Sequence, residues 1–194
     1  MKKTLALILS MLFLLALCVS AMAAESDFKH MPDYFAVGKY SGSDVDIVVP
    51  ASIGGQPTPV FYSGSIGSSA AKAMVSLTLS DGVTQLRDSN TYGAGKLTKV
   101  VLPDTLEVIG RSNFYNADAL TEITIPASVA YVGQDCFRYC DVLTKVTFMG
   151  LCPAFGANCF KDAAADLVIY VPDDQLDTYK AQLAEGLNIQ PSGK

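Results

Sequence analysis

The sequence predicts a solenoid of about six stacked coils, with a parallel β-sheet on one face and irregular coil or short 3₁₀ turns on the other. Two observations predict it. Strand-like segments begin at a constant spacing, at Met74, Leu97, Leu120, Leu143 and Asp166. Corresponding columns of the repeated blocks carry apolar residues, and one such block is too small to bury its apolar side chains without a neighbour.

The segment 1–23 is interpreted as a secretory signal peptide outside the fold. Two lysines precede the apolar stretch Thr4–Val19, and Ala21-Met22-Ala23 supplies a small-x-small cleavage site. The apolar stretch is shorter than the roughly 20 residues that a membrane-spanning helix needs. Cys18 follows leucine instead of the small residue of a lipobox, so we interpret it as part of the signal; its lipidation is the alternative that would attach the protein to a membrane.

Removal of the segment 1–23 changes the formal net charge from −5 to −7, because that segment contains two lysines and no acid. An acidic chain lacks the basic face that nucleic acids require and does not attract anionic lipid. The remaining chain, 24–194, has a length that suits one domain. We divide it into an N-terminal segment or cap over 24–43, repeats over 44–172, and a capping helix with a tail over 173–194.

The repeat begins irregularly near Asp44, where the insert GGQPTPVFYS interrupts the first copy. In the later copies two strand columns alternate with polar residues and therefore face inward. These inward columns are Leu77, Val100, Ile123, Val146, Ile169 and Leu79, Leu102, Ile125, Phe148, Val171. A glycine column marks a turn with an unusual φ or a close approach of chains, and a phenylalanine column follows it. These two columns are Gly110, Gly133, Gly156 and Phe114, Phe137, Phe160.

Segment 173–185 is predicted to form a helix that caps the last coil. Asp173 or Asp174 is placed to cap its N-terminus, and Gly186 is placed to end it. Its apolar stripe consists of Leu176, Tyr179 and Leu183. We expect the last eight residues to fray.

The block LTEITIPASVAYVGQDCFRYCDV resembles, almost throughout, the bacterial leucine-rich repeat of the BspA-like (Treponema-type) kind, LTxVxIPxSVxxIGxxxFxxCxx. The opening copy DVDIVVPASIGG and the exit segment LVIYVPDDQLDTYK also resemble such arrays, so the resemblance covers about residues 35–183. It implies a leucine-rich-repeat solenoid of the α/β type, wound as a right-handed superhelix. Members of this family are mostly secreted or surface proteins, and some are implicated in adhesion. The copy at 74–96 departs by lacking both glycine and phenylalanine, and Met149 replaces proline in a later copy.

The sequence predicts no enzyme, no cofactor and no metal site. Its single histidine, His30, stands apart from the repeats, and carboxylate pairs, phosphate loops and hydrolase motifs are absent from the sequence. A hydrolase is therefore the weakest of the functional hypotheses.

Four cysteines follow the signal segment, with spacings that differ from those of zinc sites. Cys140 shares a column with alanines and Cys152 one with valines and leucine, which is typical of small core residues. Cys136 and Cys159 share a column in adjacent coils, about 5 Å apart, within reach of a disulfide. Free thiols and a Cys136–Cys159 bridge both stay open, since secretion permits the bridge.

The strand columns that point away from the core form a candidate binding face. Its residues are Ser76, Thr78, Lys99, Val101, Glu122, Thr124, Lys145, Thr147 and Tyr170. Repeat proteins use such faces for binding, but alternating charges and threonine ladders also stabilise a sheet by themselves. Phe61 and Tyr62 in the insert are a second candidate contact, unless the insert only covers the first turn.

The function predicted from these features is binding of a protein or glycan ligand outside the cell, with adhesion as one form of it. The alternative is a structural module of a larger surface assembly without a ligand of its own. The sequence predicts neither a nucleic-acid partner nor, unless Cys18 is lipidated, a membrane. It leaves the oligomeric state open.

Overall fold

A computed structural model describes residues 25–193 as a solenoid of stacked coils. The predicted signal peptide and Cys18 lie outside the described residues. In chain order the strands are β1 (Phe28–Met31), β2 (Ala36–Tyr40), β3 (Asp46–Val49), β4 (Ser52–Ile53), β5 (Gln56–Pro57), β6 (Val60–Phe61), β7 (Ser76–Leu79), β8 (Gln85–Leu86), β9 (Lys99–Val101), β10 (Val108–Ile109), β11 (Glu122–Ile125), β12 (Tyr131–Val132), β13 (Lys145–Phe148), β14 (Ala154–Phe155), β15 (Val168–Val171) and β16 (Asn188–Pro191). Helices α1 (Ser68–Ala73) and α2 (Leu176–Gln182) are short, and 3₁₀ turns occupy Pro32–Tyr34 and Asp173–Gln175.

One long face of the solenoid is the predicted parallel sheet. It consists of two ladders, β3-β7-β9 and β11-β13-β15-β16. Neighbouring strands pair so that residues of the same repeat column lie side by side. Ile123 pairs with Val146, and Val146 pairs with Ile169. The period of the sequence therefore sets the strand register directly.

The other face is more regular than the coil and 3₁₀ turns expected from the sequence. The two-residue strands β6, β8, β10, β12 and β14 pair in parallel and extend β1 and β2 into a seven-stranded sheet. Strands β10, β12 and β14 are this short because the glycine column follows them directly and the chain turns there.

The core lies between this seven-stranded sheet and the two ladders of the opposite face, and it consists of the predicted apolar columns. Phe114, Phe137 and Phe160 stack with ring centroids 5.2 Å apart at both steps, and interplanar angles are 13° and 3°. In the irregular copy Thr91 takes this column, and its side chain is fully buried and donates a hydrogen bond to the carbonyl of Asn113. The hydroxyl thus satisfies a buried carbonyl where a ring is missing.

The glycine column is required by close approach of coils. Gly110, Gly133 and Gly156 do not have positive φ, but a Cβ on Gly110 would lie 2.7 Å from the backbone nitrogen of Asp88. Positive φ occurs two residues further along each coil, at Ser89, Ser112, Asp135 and Asn158. Small polar residues tolerate this left-handed conformation better than branched ones, which explains that column.

The N-terminal segment contains a β-hairpin that joins the seven-stranded sheet. Strands β1 and β2 pair in antiparallel orientation, and β2 then pairs in parallel with β6. Phe28 packs against Tyr40 and Phe61, with ring centroids 5.0 and 6.0 Å away. His30 lies within β1 and is half-buried.

The C-terminal segment contains the expected helix, but its N-terminus lacks the predicted carboxylate cap. Helix α2 follows a 3₁₀ turn, and no side chain caps it. Asp173 instead accepts a hydrogen bond from the backbone of Gly193, 2.9 Å away. The tail was expected to fray, yet β16 pairs with β15 and extends the sheet by one strand. Ile189 anchors β16 because its side chain is almost fully buried.

Candidate functional site

The candidate site is the outward side of β3, β7, β9, β11, β13, β15 and β16, which we call the sheet face. All nine residues predicted for it lie on these strands, in two columns. One column is Ser76, Lys99, Glu122 and Lys145, and the other is Thr78, Val101, Thr124, Thr147 and Tyr170. Each is exposed or half-exposed, whereas most residues between them in the strands are buried.

The charged column is held by weak surface contacts. The Lys145 ammonium lies 3.5 Å from the Glu122 carboxylate, and both side chains are more than half exposed. At the other end, the Ser76 hydroxyl donates to the Asp46 carboxylate at 2.7 Å. An exposed ion pair of this kind contributes about 0–1 kcal/mol, so fold stability does not depend strongly on these charges. They are therefore available to a ligand at little energetic cost.

A cavity of about 400 Å³ opens at the C-terminal end of the sheet face. It is lined by Lys145, Thr147, Met149, Tyr170 and Ser192. A cation, two aliphatic hydroxyls, a phenol ring and an apolar thioether thus line the same cavity. This is the mix of apolar contact and a few polar groups that orients a ligand.

Three sheet-face residues were not identified from the sequence. Met149 is 44% exposed and occupies the column where other copies carry proline, so the noted departure from the repeat was the available signal. Ser192 follows β16, a strand outside the period. Val48 on β3 is 45% exposed beside the irregular first copy. Together with Val101, 40% exposed, Val48 gives the N-terminal half an apolar character.

The insert does not present the contact expected from it. Phe61 is fully buried because β6 belongs to the seven-stranded sheet of the other face and turns this ring toward Phe28. Only Tyr62 of the predicted pair is exposed, and its ring lies 5.3 Å from that of Tyr34. The buried phenylalanine agrees with the alternative interpretation, in which the insert covers the first turn.

An unexpected second surface consists of three tyrosines on the turn segments that follow the glycine column of each coil, which we call the coil side of the solenoid. Tyr92 stacks on Tyr115 at 4.7 Å, and Tyr115 meets Tyr139 edge-on at 5.4 Å. The Arg138 guanidinium lies 4.6 Å from the centre of the Tyr139 ring and forms ion pairs with Asp135 and Asp162. Tyr92 and Tyr115 share a column one residue after the phenylalanine column. This shared column is the sequence signal that could have predicted the tyrosine surface.

The four cysteines of the described part of the chain are free thiols in this structure. Cys136 and Cys159 do lie in adjacent coils, since the carbonyl of Cys159 accepts a hydrogen bond from Phe137. Cys140 is fully buried and donates to the carbonyl of Phe114 at 2.9 Å. The disulfide stays a prediction, which a free-thiol count on unfolded, unreduced protein tests. Within residues 25–193, no cluster of three or more metal-ligating side chains occurs.

A family model described as "BspA type Leucine rich repeat region" matches residues 65–172 in six copies. The chain belongs to the BspA-type leucine-rich repeat family. This confirms the resemblance and the leucine-rich-repeat solenoid that it implied. None of the curated proteins matches the chain.

Three solved structures share this BspA-type fold. The leucine-rich repeat protein of T. pallidum is 19% identical with a TM-score of 0.51, and the alignment covers 84% of this chain and 94% of that one. The leucine-rich repeat protein of Bacteroides ovatus is 20% identical with a TM-score of 0.54, covering 75% and 41%. The pneumococcal vaccine antigen PcpA is 20% identical with a TM-score of 0.57, covering 79% and 43%. The chain thus spans less than half the length of the last two.

Proposed function

We propose that this BspA-type repeat protein binds a protein or glycan ligand outside the cell through its sheet face. The proposal rests on the cavity between Lys145 and Tyr170. This cavity lies at the end of a face whose charged side chains contribute little to the stability of the fold. A repeat solenoid with such a face offers an extended surface for a partner. Export by the predicted signal peptide, with adhesion as one outcome, belongs to the same proposal.

The charges of the sheet face suit a ligand that carries both signs or hydroxyl groups. Lys99, Glu122 and Lys145 alternate in sign along one column, and threonine hydroxyls line the other. Tyr170 adds a half-exposed ring at the cavity, and aromatic rings stack on apolar faces of sugars and side chains alike. The proposal therefore covers proteins and glycans, and it excludes strongly anionic polymers because the chain is acidic.

The test compares the exported protein with a variant in which Lys99, Glu122, Lys145 and Tyr170 are all changed to serine. Both are assayed by surface plasmon resonance against purified host matrix proteins and by fluorescence on a glycan array. We expect at least about tenfold weaker binding for the variant, because the changes remove an aromatic contact and three charges.

A matched control changes two lysines, one glutamate and one tyrosine elsewhere on the surface to serine: Lys72, Glu107, Lys180 and Tyr92. All four are exposed and lie outside the sheet face. This control should bind as the unmodified protein does. Equal binding by the sheet-face variant, or a loss confined to the control, would place the ligand on another surface. Absence of binding by every form would favour the structural-module alternative.

A further inference from the structure

The last coil leaves backbone groups open on the coil side of the solenoid. In preceding coils, the N–H groups of Ser112, Phe114 and Asn116 donate to carbonyls of the next coil at 2.9–3.0 Å. One coil later, Asp135, Phe137 and Tyr139 repeat this pattern at 2.8–3.3 Å. The corresponding N–H groups of the last coil belong to Asn158, Phe160 and Asp162. These three N–H groups have no acceptor within residues 25–193.

The C-terminal cap does not replace the missing coil because its path is too short. Val168 of β15 pairs with Asn188 of β16, so this return is three positions shorter than the regular step from Lys145 to Val168. Seven residues of the return form α2, and a helix advances only about 1.5 Å per residue against about 3.3 Å for a strand. Tyr179 of α2 packs inward against Phe148 of β13 and Phe155 of β14. The three N–H groups of the last coil are consequently left without acceptors in the described part of the chain, although the cap keeps Phe160 only 6% exposed.

A cavity of about 630 Å³ lies beside these N–H groups, between the last coil and residues 182–187. Phe155, Cys159 and Phe160 line it from the coil, and Leu183 and Leu187 line it from the cap. Its size falls in the range of specific binding pockets. These apolar side chains form much of its wall, and the open N–H groups run along the coil that contributes to it. Open backbone donors beside an apolar pocket suit the addition of a peptide. Because Asn158 and Asp162 have positive φ, that peptide takes the turned conformation of a coil and not an extended one.

We propose that this terminal groove binds a peptide segment of a partner protein that takes the turned conformation of an internal coil and adds itself to the array as one further coil. The peptide offers three alternate carbonyls to Asn158, Phe160 and Asp162 and places an apolar side chain in the cavity. The same hydrogen-bond pattern joins each internal coil to the next, and the peptide would continue it beyond the last coil. That pattern therefore defines which peptide carbonyl faces which N–H group. The groove lies apart from the sheet face, so binding there is independent of the proposed function.

The probe is a synthetic peptide with the sequence of residues 109–117, IGRSNFYNA, which is a cysteine-free copy of one coil. By analogy with the internal coils, its carbonyls at positions 111, 113 and 115 face the three open N–H groups. Phe114 of the peptide then faces the cavity. Binding to the exported protein is followed by amide NMR and hydrogen exchange.

We expect the largest shifts at the amides of Asn158, Phe160 and Asp162. At a peptide concentration of about ten times Kd, their exchange should slow by about tenfold. A peptide with Phe114→Ser should bind about tenfold more weakly or worse, because the apolar contact is lost. The sheet-face serine variant should bind the peptide unchanged.

Two matched variants of the protein localise the site. Ala184→Trp fills the cavity, of which Ala184 is a lining residue, and should abolish binding. Ala181→Trp places the same ring on an exposed position outside the lining and should have no effect. The proposal is overturned if the peptide causes no shifts up to about 5 mM, if Ala184→Trp binds normally, or if the shifts map to the sheet face. It is also overturned if the three amides are protected in a concentration-dependent way without peptide, since a second copy would then occupy the groove.

Discussion

Cys136 and Cys159 are shielded from solvent, whereas Cys152 is only half-buried. Desolvation raises the pKa of Cys136 and Cys159 above the ordinary thiol value, and the neighbouring cysteine adds to the effect on Cys136. It raises the pKa of Cys140 to about 12 and that of Cys152 to about 11. Because the thiolate is the nucleophile, these shifts suppress reactivity at neutral pH.

Alkylation with iodoacetamide near pH 8 should therefore modify Cys152 first in the native protein. We expect Cys136, Cys140 and Cys159 to react at least about tenfold more slowly, since both their access and their thiolate fraction are lower. Raising the pH toward the pKa of Cys152 should accelerate its reaction. Mass spectrometry of peptides after timed quenching measures each site.

The same reaction after unfolding without reductant counts the thiols. Four labelled cysteines exclude the Cys136–Cys159 disulfide, and two support it. Native labelling of Cys136 as fast as Cys152 would contradict the burial argument and would indicate local opening of the coil.

A coil is held to its neighbours by one column of buried polar side chains as well as by apolar ones. Asn113 is fully buried; its amide nitrogen donates to the carbonyls of Arg87 and Gly110 at 2.9 and 3.1 Å. Its oxygen accepts from the backbone of Asn90 at 3.0 Å, and the Asn90 oxygen accepts from Ser65 at 2.8 Å. Later coils carry cysteine in this column. The asparagines therefore stabilise the N-terminal half of the array, where the phenylalanine stack begins.

Asn113→Ala should lower the free energy of unfolding by about 2 kcal/mol or more, because several buried backbone groups lose their partners. Urea denaturation followed by circular dichroism measures the change. Asn188→Ala is the control, since Asn188 is exposed and should change stability by no more than about 0.5 kcal/mol. Equal effects at both sites would contradict a structural role for the asparagine column.

Strand columns, the glycine column and the phenylalanine stack could be predicted because a fixed period places like residues in like environments. The polar column at Asn90 and Asn113 changes to cysteine midway, so period alone did not reveal it. Strand β16 escaped prediction because the helical return before it is shorter than the repeat. The sheet-face residues on the repeated strands could be predicted from the alternation of polar and apolar residues. The cavity beside Ser192, in contrast, depends on β16. Its position could not be derived from the repeat.

The two ends of the molecule are closed in different ways. At the N-terminus the β1–β2 hairpin continues the seven-stranded sheet and buries Phe28 against the first coil. At the C-terminus β16 extends the sheet face, while the coil side keeps an open groove. In a solenoid each coil contacts only its neighbours, so stability depends on how each end is covered. The hairpin should thus be an integral part of the folding unit.

Phe28→Ala tests this coupling over the whole molecule. We expect the free energy of unfolding to fall by about 3 kcal/mol or more, because a buried ring that contacts Tyr40 and Phe61 is removed. Phe35→Ala is the matched control: this ring is 63% exposed, and its loss should change stability by no more than about 1 kcal/mol. Urea unfolding of the Phe28 variant should keep a single transition with an unchanged slope, displaced to lower denaturant. A separate early transition that leaves the main one in place would mean that the hairpin is an appendage whose stability is independent of the array.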